Sequence, residues 1–397
     1  MPATYSLEKL LHPTTPETFR EEHREAKPLL VKRGQPNYYD DLLTLGVVDR
    51  VITTMHPKYP DVFLANAATE ETKVAEYTYP SGLINVGRLY SLFEAGSTIV
   101  MSNLELQVQA LANLCRSLER EASARFQANI YLTPGNAQGF RRHYDAHDVF
   151  VIQLEGSKLW RVYDTPVELP MPGEPFDPRD FDIDPDAKPT MEFELEAGDV
   201  FYLPRGIMHD AVSTQKTSLH ITLGTFGANW TEVILEAIAK VGVNHPEMRR
   251  SLPMGFARPD YDRGDAQKTF EALMATVMKE VNFDEALDHF ADDLVSSRHS
   301  LLVGQLDQIL ALPKLDIESE VGARANLLFH LRRDEEQVHV SCYGSSLHMP
   351  VHAADSLQYA LENERFKVKD MPGDLDDEGK LVLIERLIRD GLVLQYV

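Results

Sequence analysis

Between Arg125 and Phe226 the chain reads in a period of two. The runs "ANIYLTP", "DVFVIQLEG", "KLWRVYD", "TMEFELEAGD", "DVFYLPRG" and "SLHITLGTF" are short and rich in β-branched and aromatic residues, the composition that suits a pleated surface. Met191, Phe193 and Leu195 alternate with Glu192, Glu194 and Glu196, as in a strand with one face in a core and the other in water. Six such runs in about a hundred residues predict a jelly roll or barrel. Asp164 to Thr190 interrupts them with seven prolines and six aspartates, a density that excludes helix and central strand and predicts a long surface loop.

Helical spacing flanks this block. In "LELQVQALANLCRSLEREASAR" Val108, Leu111, Leu114, Cys115 and Leu118 recur on one face, predicting a helix packed on the strands. Upstream, "DDLLTLGVVDRVI" reads as a helix in an otherwise mixed segment. After Asn229 two helices are predicted, one with Trp230, Val233, Ala237, Ile238 and Val241 on a face, the other with Phe283, Leu287, Phe290 and Leu294. The end, "KLVLIERLIRDGLVLQYV", predicts a helix with Leu381, Ile384, Leu387 and Ile388 inward, a Gly391 cap and a strand; with the helix-like "HAADSLQYALEN" it reads as a small winged helix. At 397 residues one core is not enough. The expected organisation is an N-terminal segment over 1–84 packing on the barrel, a jelly-roll domain over 85–228, a helical region over 229–300 and a winged-helix-like domain over 301–397.

A net charge of −23 argues against nucleic acid and anionic membranes, both of which recruit clustered cations. Two distant cysteines, Cys115 and Cys342, signal neither a disulfide framework nor a zinc ribbon. The first residues lack the apolar run of a signal peptide, and no run approaches the ~18 residues of a membrane span, so a cytoplasmic protein is expected.

Chemistry concentrates in "GFRRHYDAHDVF". On a regular strand His143, Asp145 and His147 would share one face, neighbours roughly 6.6 Å apart at Cα, with Tyr144, Ala146 and Asp148 on the other. An imidazole and a carboxylate so spaced can chelate a divalent metal. "GDVFYLPRGIMH" sets Gly198, Pro204 and His209 in the pattern G-x5-P-x4-H, which resembles the second cupin motif. His143, Asp145 and His209 then form a 2-His-1-carboxylate triad, which leaves three positions of an octahedral iron(II) open. The remaining residues read more plainly: His220 as a core or supporting histidine, Trp160 as a core aromatic, Asp148 as solvent-facing or hydrogen-bonding at the strand start, Arg205 as a substrate contact or turn residue. His147 is open between a fourth ligand, a substrate or supporting group, and an ordinary strand residue, with the second reading favoured.

"NIYLTPGNAQGFRRHYDAHDVFVIQLEGSKLWRVYD" followed by "GDVFYLPRGIMHDAVSTQKTSLHITLGTF" resembles the JmjC-type, iron(II)- and 2-oxoglutarate-dependent ribosomal oxygenases of the cupin-4 group. The resemblance implies a mixed α+β chain: a double-stranded β-helix (jelly roll, JmjC/cupin), a helical dimerisation region and a C-terminal winged helix. It implies iron(II) on His143, Asp145 and His209, 2-oxoglutarate anchored by Lys158 and hydrogen-bonded by Asn129 and Tyr131, and O2 as oxidant. The chain departs from relatives at Gly224, where some carry serine, and at His147, where an apolar or aromatic residue is common. Because Asp145 is kept, hydroxylation rather than halogenation is implied. The substrate implied is an arginine or histidine of a ribosomal protein, acted on by a homodimer. The rival readings are an oxygenase tailoring a peptide natural product, a metal-binding cupin without oxygenase activity, and a DNA-binding regulator, the last disfavoured by the acidic C-terminal module.

Overall fold

The computed structural model describes residues 5–69 and 72–396. The chain divides into two compact units, Met1–Phe226 and Gly227–Val397.

Among the described residues the first unit carries ten strands: β1 (Leu29–Val31), β2 (Val62–Ala65), β3 (Thr98–Met101), β4 (Arg125–Thr133), β5 (Asp148–Glu155), β6 (Ser157–Val162), β7 (Met191–Glu196), β8 (Val200–Leu203), β9 (His209–Ser213) and β10 (Ser218–Phe226). They form a seven-stranded antiparallel sheet, β1-β8-β5-β10-β4-β3-β2, and a three-stranded one, β7-β6-β9. On β4 and β10 the alternation is strict. Phe126, Ala128, Ile130 and Leu132, with Leu219, Ile221 and Leu223, join the core beneath helix Gln109–Ala122; Tyr131, His220 and Thr222 turn to the other face. Strand β5 has no polar face because both are covered. Phe150, Ile152 and Leu154 meet the helical side, while Val149 and Val151 meet Trp160, Leu195 and Phe201 between the sheets.

The helix Gln109–Ala122 forms where the spacing predicts, with Leu111, Leu114, Cys115 and Leu118 buried. Each fully buried leucine contributes roughly 1.5–3 kcal/mol of transfer free energy. The N-terminal segment joins the same core through Leu10, Leu11 and Phe19, and strand β1 extends the large sheet by pairing with β8. Between β7 and β8, Gly198 takes φ +89°, and a Cβ there would lie 2.0 Å from the carbonyl oxygen of Gln35, so only glycine fits.

The acidic proline-rich loop has one short 3-10 turn, Pro178–Asp180. It is anchored rather than adrift: Phe176 and Phe181 stack at 5.5 Å and pack on Tyr144, inside the chemistry-bearing segment.

The second unit opens with helix Trp230–Asn244, begun by a capping box between Asn229 and Glu232, and continues with Gly264–Glu280 and Phe283–Ser296. Strands β11 (Glu320–Ala323), β12 (His330–Arg333), β13 (Gln337–Cys342), β14 (Ser345–Pro350), β15 (Phe366–Lys367) and β16 (Val393–Gln395) make two three-stranded sheets, β15-β11-β16 and β12-β13-β14. Helices Ala354–Glu362 and Asp377–Arg389 bury Leu357, Leu361, Ile384, Leu387 and Ile388. The last helix ends at Gly391 (φ +75°), with Gly391 N–H donating to the Ile388 carbonyl and Leu392 N–H to that of Leu387. That double closure is the Schellman arrangement glycine permits. Among the described residues no helix is long and apolar enough to cross a membrane.

Candidate active site

The segment 141–147 is not a regular strand. Strand β5 begins only at Asp148, so strand alternation does not set the orientation of the residues before it. His143 makes one isolated antiparallel bridge to His209, with His143 N–H donating to the His209 carbonyl at 3.1 Å and His209 N–H returning to His143 at 2.8 Å. Gly206 N–H donates to the Asp145 carbonyl at 3.0 Å. The segment's far end is held by the Asp148 carboxylate, which accepts from Tyr202 Oη (2.7 Å) and Arg205 N (3.0 Å). The "LPRGIMH" turn thus grips the whole stretch. Asp148 is buried and hydrogen-bonded, not solvent-facing, and Arg205 is its partner and that of Glu25.

His143, Asp145 and His209 converge, each offering a ligand atom within 4.8 Å of the others, and His209 Nε2 lies 3.8 Å from Asp145 Oδ2. The Nδ1 of His143 meets the Arg141 carbonyl at 2.8 Å and that of His209 meets the Ile207 carbonyl at 3.0 Å. A carbonyl only accepts, so both rings carry hydrogen on Nδ1 and turn an Nε2 lone pair toward the cluster. Burial, then the neighbouring His143, lowers the pKa of His209 to about 4, against the opposing pull of Asp145, so it is neutral at pH 7.

The cluster opens on a cavity of about 220 Å3 between the two sheets, lined also by Tyr131, Lys158, Trp160 and His220. Lys158 on β6 is buried, and desolvation lowers its pKa from 10.5 to about 7 with no acidic group among the causes. Tyr131 faces it from β4, stacked flat on His220 at 4.8 Å; burial, then Asp145, pushes its phenol above the ordinary range, so it remains a donor. Burial and then Lys158 push His220 well below its ordinary value. The Nε1 of Trp160 and the Nδ1 of His220 are buried without a hydrogen-bond partner.

These features fit the groups the sequence implies. Two imidazoles and a carboxylate make a donor set for a divalent transition metal with open positions. A buried ammonium without a counterion, a phenol donor and two unmatched ring nitrogens suit a small dicarboxylate.

Three residues fall elsewhere than expected. Asn129 lies two residues from Tyr131 yet does not line the cavity; its Oδ1 accepts from Asn103 N (3.2 Å) and Gln127 Nε2 (3.0 Å). His147 does not line it either: its ring stacks on Phe226 at 4.6 Å, and a Cβ on Gly224 would stand 2.9 Å from that ring. Trp160, read as core, is both core and wall, stacked on His209 at 5.8 Å. His220 and Thr222 were discoverable, since the alternation of "SLHITLG" sets both opposite the apolar face of β10.

A family model described as JmjC domain matches residues 101–233. The bifunctional lysine-specific demethylase and histidyl-hydroxylase NO66 of Aedes aegypti is 30% identical over 297 residues, 72% of this chain and 46% of that protein. Ribosomal oxygenase 1 of Bos taurus is 29% identical over 378 residues, 90% of this chain and 55% of that one. The chain spans about half the length of the curated relatives it matches. Among solved structures, the Escherichia coli ribosomal oxygenase YcfD in complex with cobalt and 2-oxoglutarate has a TM-score of 0.56 at 16% identity, covering 96% of this chain and 98% of that one, a likeness of fold.

Proposed function

Because this chain carries a JmjC domain and is homologous to ribosomal oxygenase 1 and NO66, we propose that it is an iron(II)- and 2-oxoglutarate-dependent hydroxylase of a peptide or protein side chain. The observation that carries this reading is the pairing of a His143–Asp145–His209 cluster with a buried, unpaired Lys158 in one cavity. In this reading the three residues hold the metal through His143 Nε2, His209 Nε2 and the Asp145 carboxylate. Iron(II) bound there supplies the coupling of 2-oxoglutarate decarboxylation, to succinate and CO2, with insertion of one atom of O2 into a C–H bond.

The remaining work belongs to the protein's own groups. The Lys158 ammonium pairs with the distal carboxylate of 2-oxoglutarate, which restores a counterion to a desolvated charge. Tyr131 Oη donates to the same region, and the flat stack on His220 fixes its ring. Val149, Val151 and Ala211 wall the cavity and exclude water. The carbonyls of Arg141 and Ile207 hold the tautomers that ligation requires. Asn129 acts through Asn103 and Gln127 rather than on the co-substrate.

The substrate proposed is an arginine or histidine of a ribosomal protein, a basic partner that suits a chain of charge −23. Residues 229–300 form a dimerisation region in this reading, supported by the exposure of Trp230, Ile234, Leu235 and Val243. Residues 301–397 are a winged-helix-like module for structure or protein contact. Two buried cysteines, Cys115 and Cys342, are consistent with a cytoplasmic location.

The test is 2-oxoglutarate turnover with iron(II) by the wild type against His209→Ala, read as succinate, together with a panel of ribosomal-protein fragments examined for the mass of one added oxygen. Succinate from the wild type alone is expected. Equal turnover in both would sink the oxygenase reading, and turnover without any modified fragment would move the substrate to a peptide natural product.

A further inference from the structure

On the sheet β12-β13-β14 of the second unit, His339 and His348 stand directly opposite each other. Their rings approach edge to face at 4.7 Å with the two Nδ1 atoms 2.7 Å apart. The outer nitrogens are both engaged: His339 Nε2 meets Asp334 Oδ2 at 3.0 Å, and His348 Nε2 meets Ser346 Oγ at 3.1 Å. Asp334 is ionised across the working range, because the backbone N–H groups of Gln337 and Glu336, and then His339, lower its pKa to about 2. Its carboxylate only accepts, so His339 carries its hydrogen on Nε2 and turns the Nδ1 lone pair to His348. Ser346 can accept from His348 Nε2, which frees the second Nδ1 lone pair for the same point. In the metal-free protein the 2.7 Å approach is that of one Nδ1 donating to the other.

From this geometry we propose a second metal site, in which a borderline divalent cation such as Zn2+ is held by His339 Nδ1 and His348 Nδ1, with water completing its shell. Imidazole pairs suit Zn2+, Ni2+ and Cu2+. The carboxylate behind His339 is the outer partner that orients a ligating histidine and raises its basicity. A small opening of the cross-strand pair brings the two nitrogens to the spacing that ligands on one ion require. Arg332, opposite His339 on β12, is paired with Asp292 at 2.7 Å. The site is half-exposed, so the ion needs no channel.

The site rests on different residues from the proposed active centre, and its test separates the two. Full-length protein is dialysed against micromolar Zn2+ and the bound metal counted. The wild type is expected to hold two equivalents, His348→Asn one, and His143→Ala/Asp145→Ala one. Turnover of 2-oxoglutarate by His348→Asn should match the wild type, which also shows that the variant folds. Asp334→Asn should weaken the sheet site about 10- to 100-fold. Two equivalents retained by His348→Asn, or unchanged affinity in Asp334→Asn, overturns the proposal, whatever the active centre does.

Discussion

The buried Lys158 ammonium is a cost to the folded chain. Its ammonium is buried without a partner, and its pKa falls from 10.5 toward 7. Between these values the unfolded chain binds the proton that the folded chain releases, so stability rises with pH through that window. Below pH 7 the full cost of a buried cation is carried, on the order of a few kcal/mol. Lys158→Met should therefore raise the melting temperature of the ligand-free protein at pH 7, flatten its dependence between pH 7 and 10, and abolish 2-oxoglutarate turnover. The same titration predicts that the KM for 2-oxoglutarate climbs above pH 7 in the wild type, as the anchoring charge is lost. Lys158→Arg, always charged, should show no such climb; steady-state kinetics across pH 6–9 decide it. The two departures the sequence presents, Gly224 and His147, prove to be one feature, because the His147 ring occupies the volume a side chain at 224 would need.

At the scale of the element, the "GDVFYLPRGIMH" stretch does more than supply a ligand. Gly198 turns the chain into β8, and the turn after Leu203 pins Asp145 through Gly206 and Asp148 through Arg205. Gly198→Ala would combine a positive φ with a collision against the Gln35 backbone. A destabilisation of about 2 kcal/mol or more is expected, read as a fall in the midpoint of urea unfolding; an unchanged midpoint would mean that the N-terminal segment yields freely. The helix Gln109–Ala122 and the strand alternation were legible because period and burial coincide. The segment 141–147 was not, since its conformation comes from bonds to a turn some 60 residues away, which no local pattern records.

For the molecule as a whole, the helices of the second unit leave large apolar groups in water: Trp230 is 71% exposed, Leu235 61%, Leu306 78% and Leu310 77%. Exposed large apolar groups of this kind support the proposed dimerisation region. The periodicity of Trp230–Asn244 correctly announces an amphipathic helix, but of its apolar face only Ala237 and Val241 are buried within one chain. Light scattering at micromolar concentration should give a dimer, and Ile234→Glu/Leu235→Glu a monomer with its secondary structure intact, since both side chains are exposed. A monomeric wild type would remove the dimer from the proposal.

Residue types and their spacing alone fixed the strand block over 125–226, the helices beside it, the jelly roll and the identity of the metal-binding candidates, because burial periodicity and ligand chemistry are properties of residue types at given spacings; the short strands β1–β3 and β11–β15 left no such period. The sequence also marked Lys158, through a resemblance rather than through any local signal. Tertiary structure decided which of four neighbouring polar residues meet. His143 and Asp145 reach the cavity because a distant turn grips their backbone, Asp148 becomes a buried brace for that turn, and His147 leaves for the ring of Phe226. Pairing energies between remote segments are not written in either segment alone.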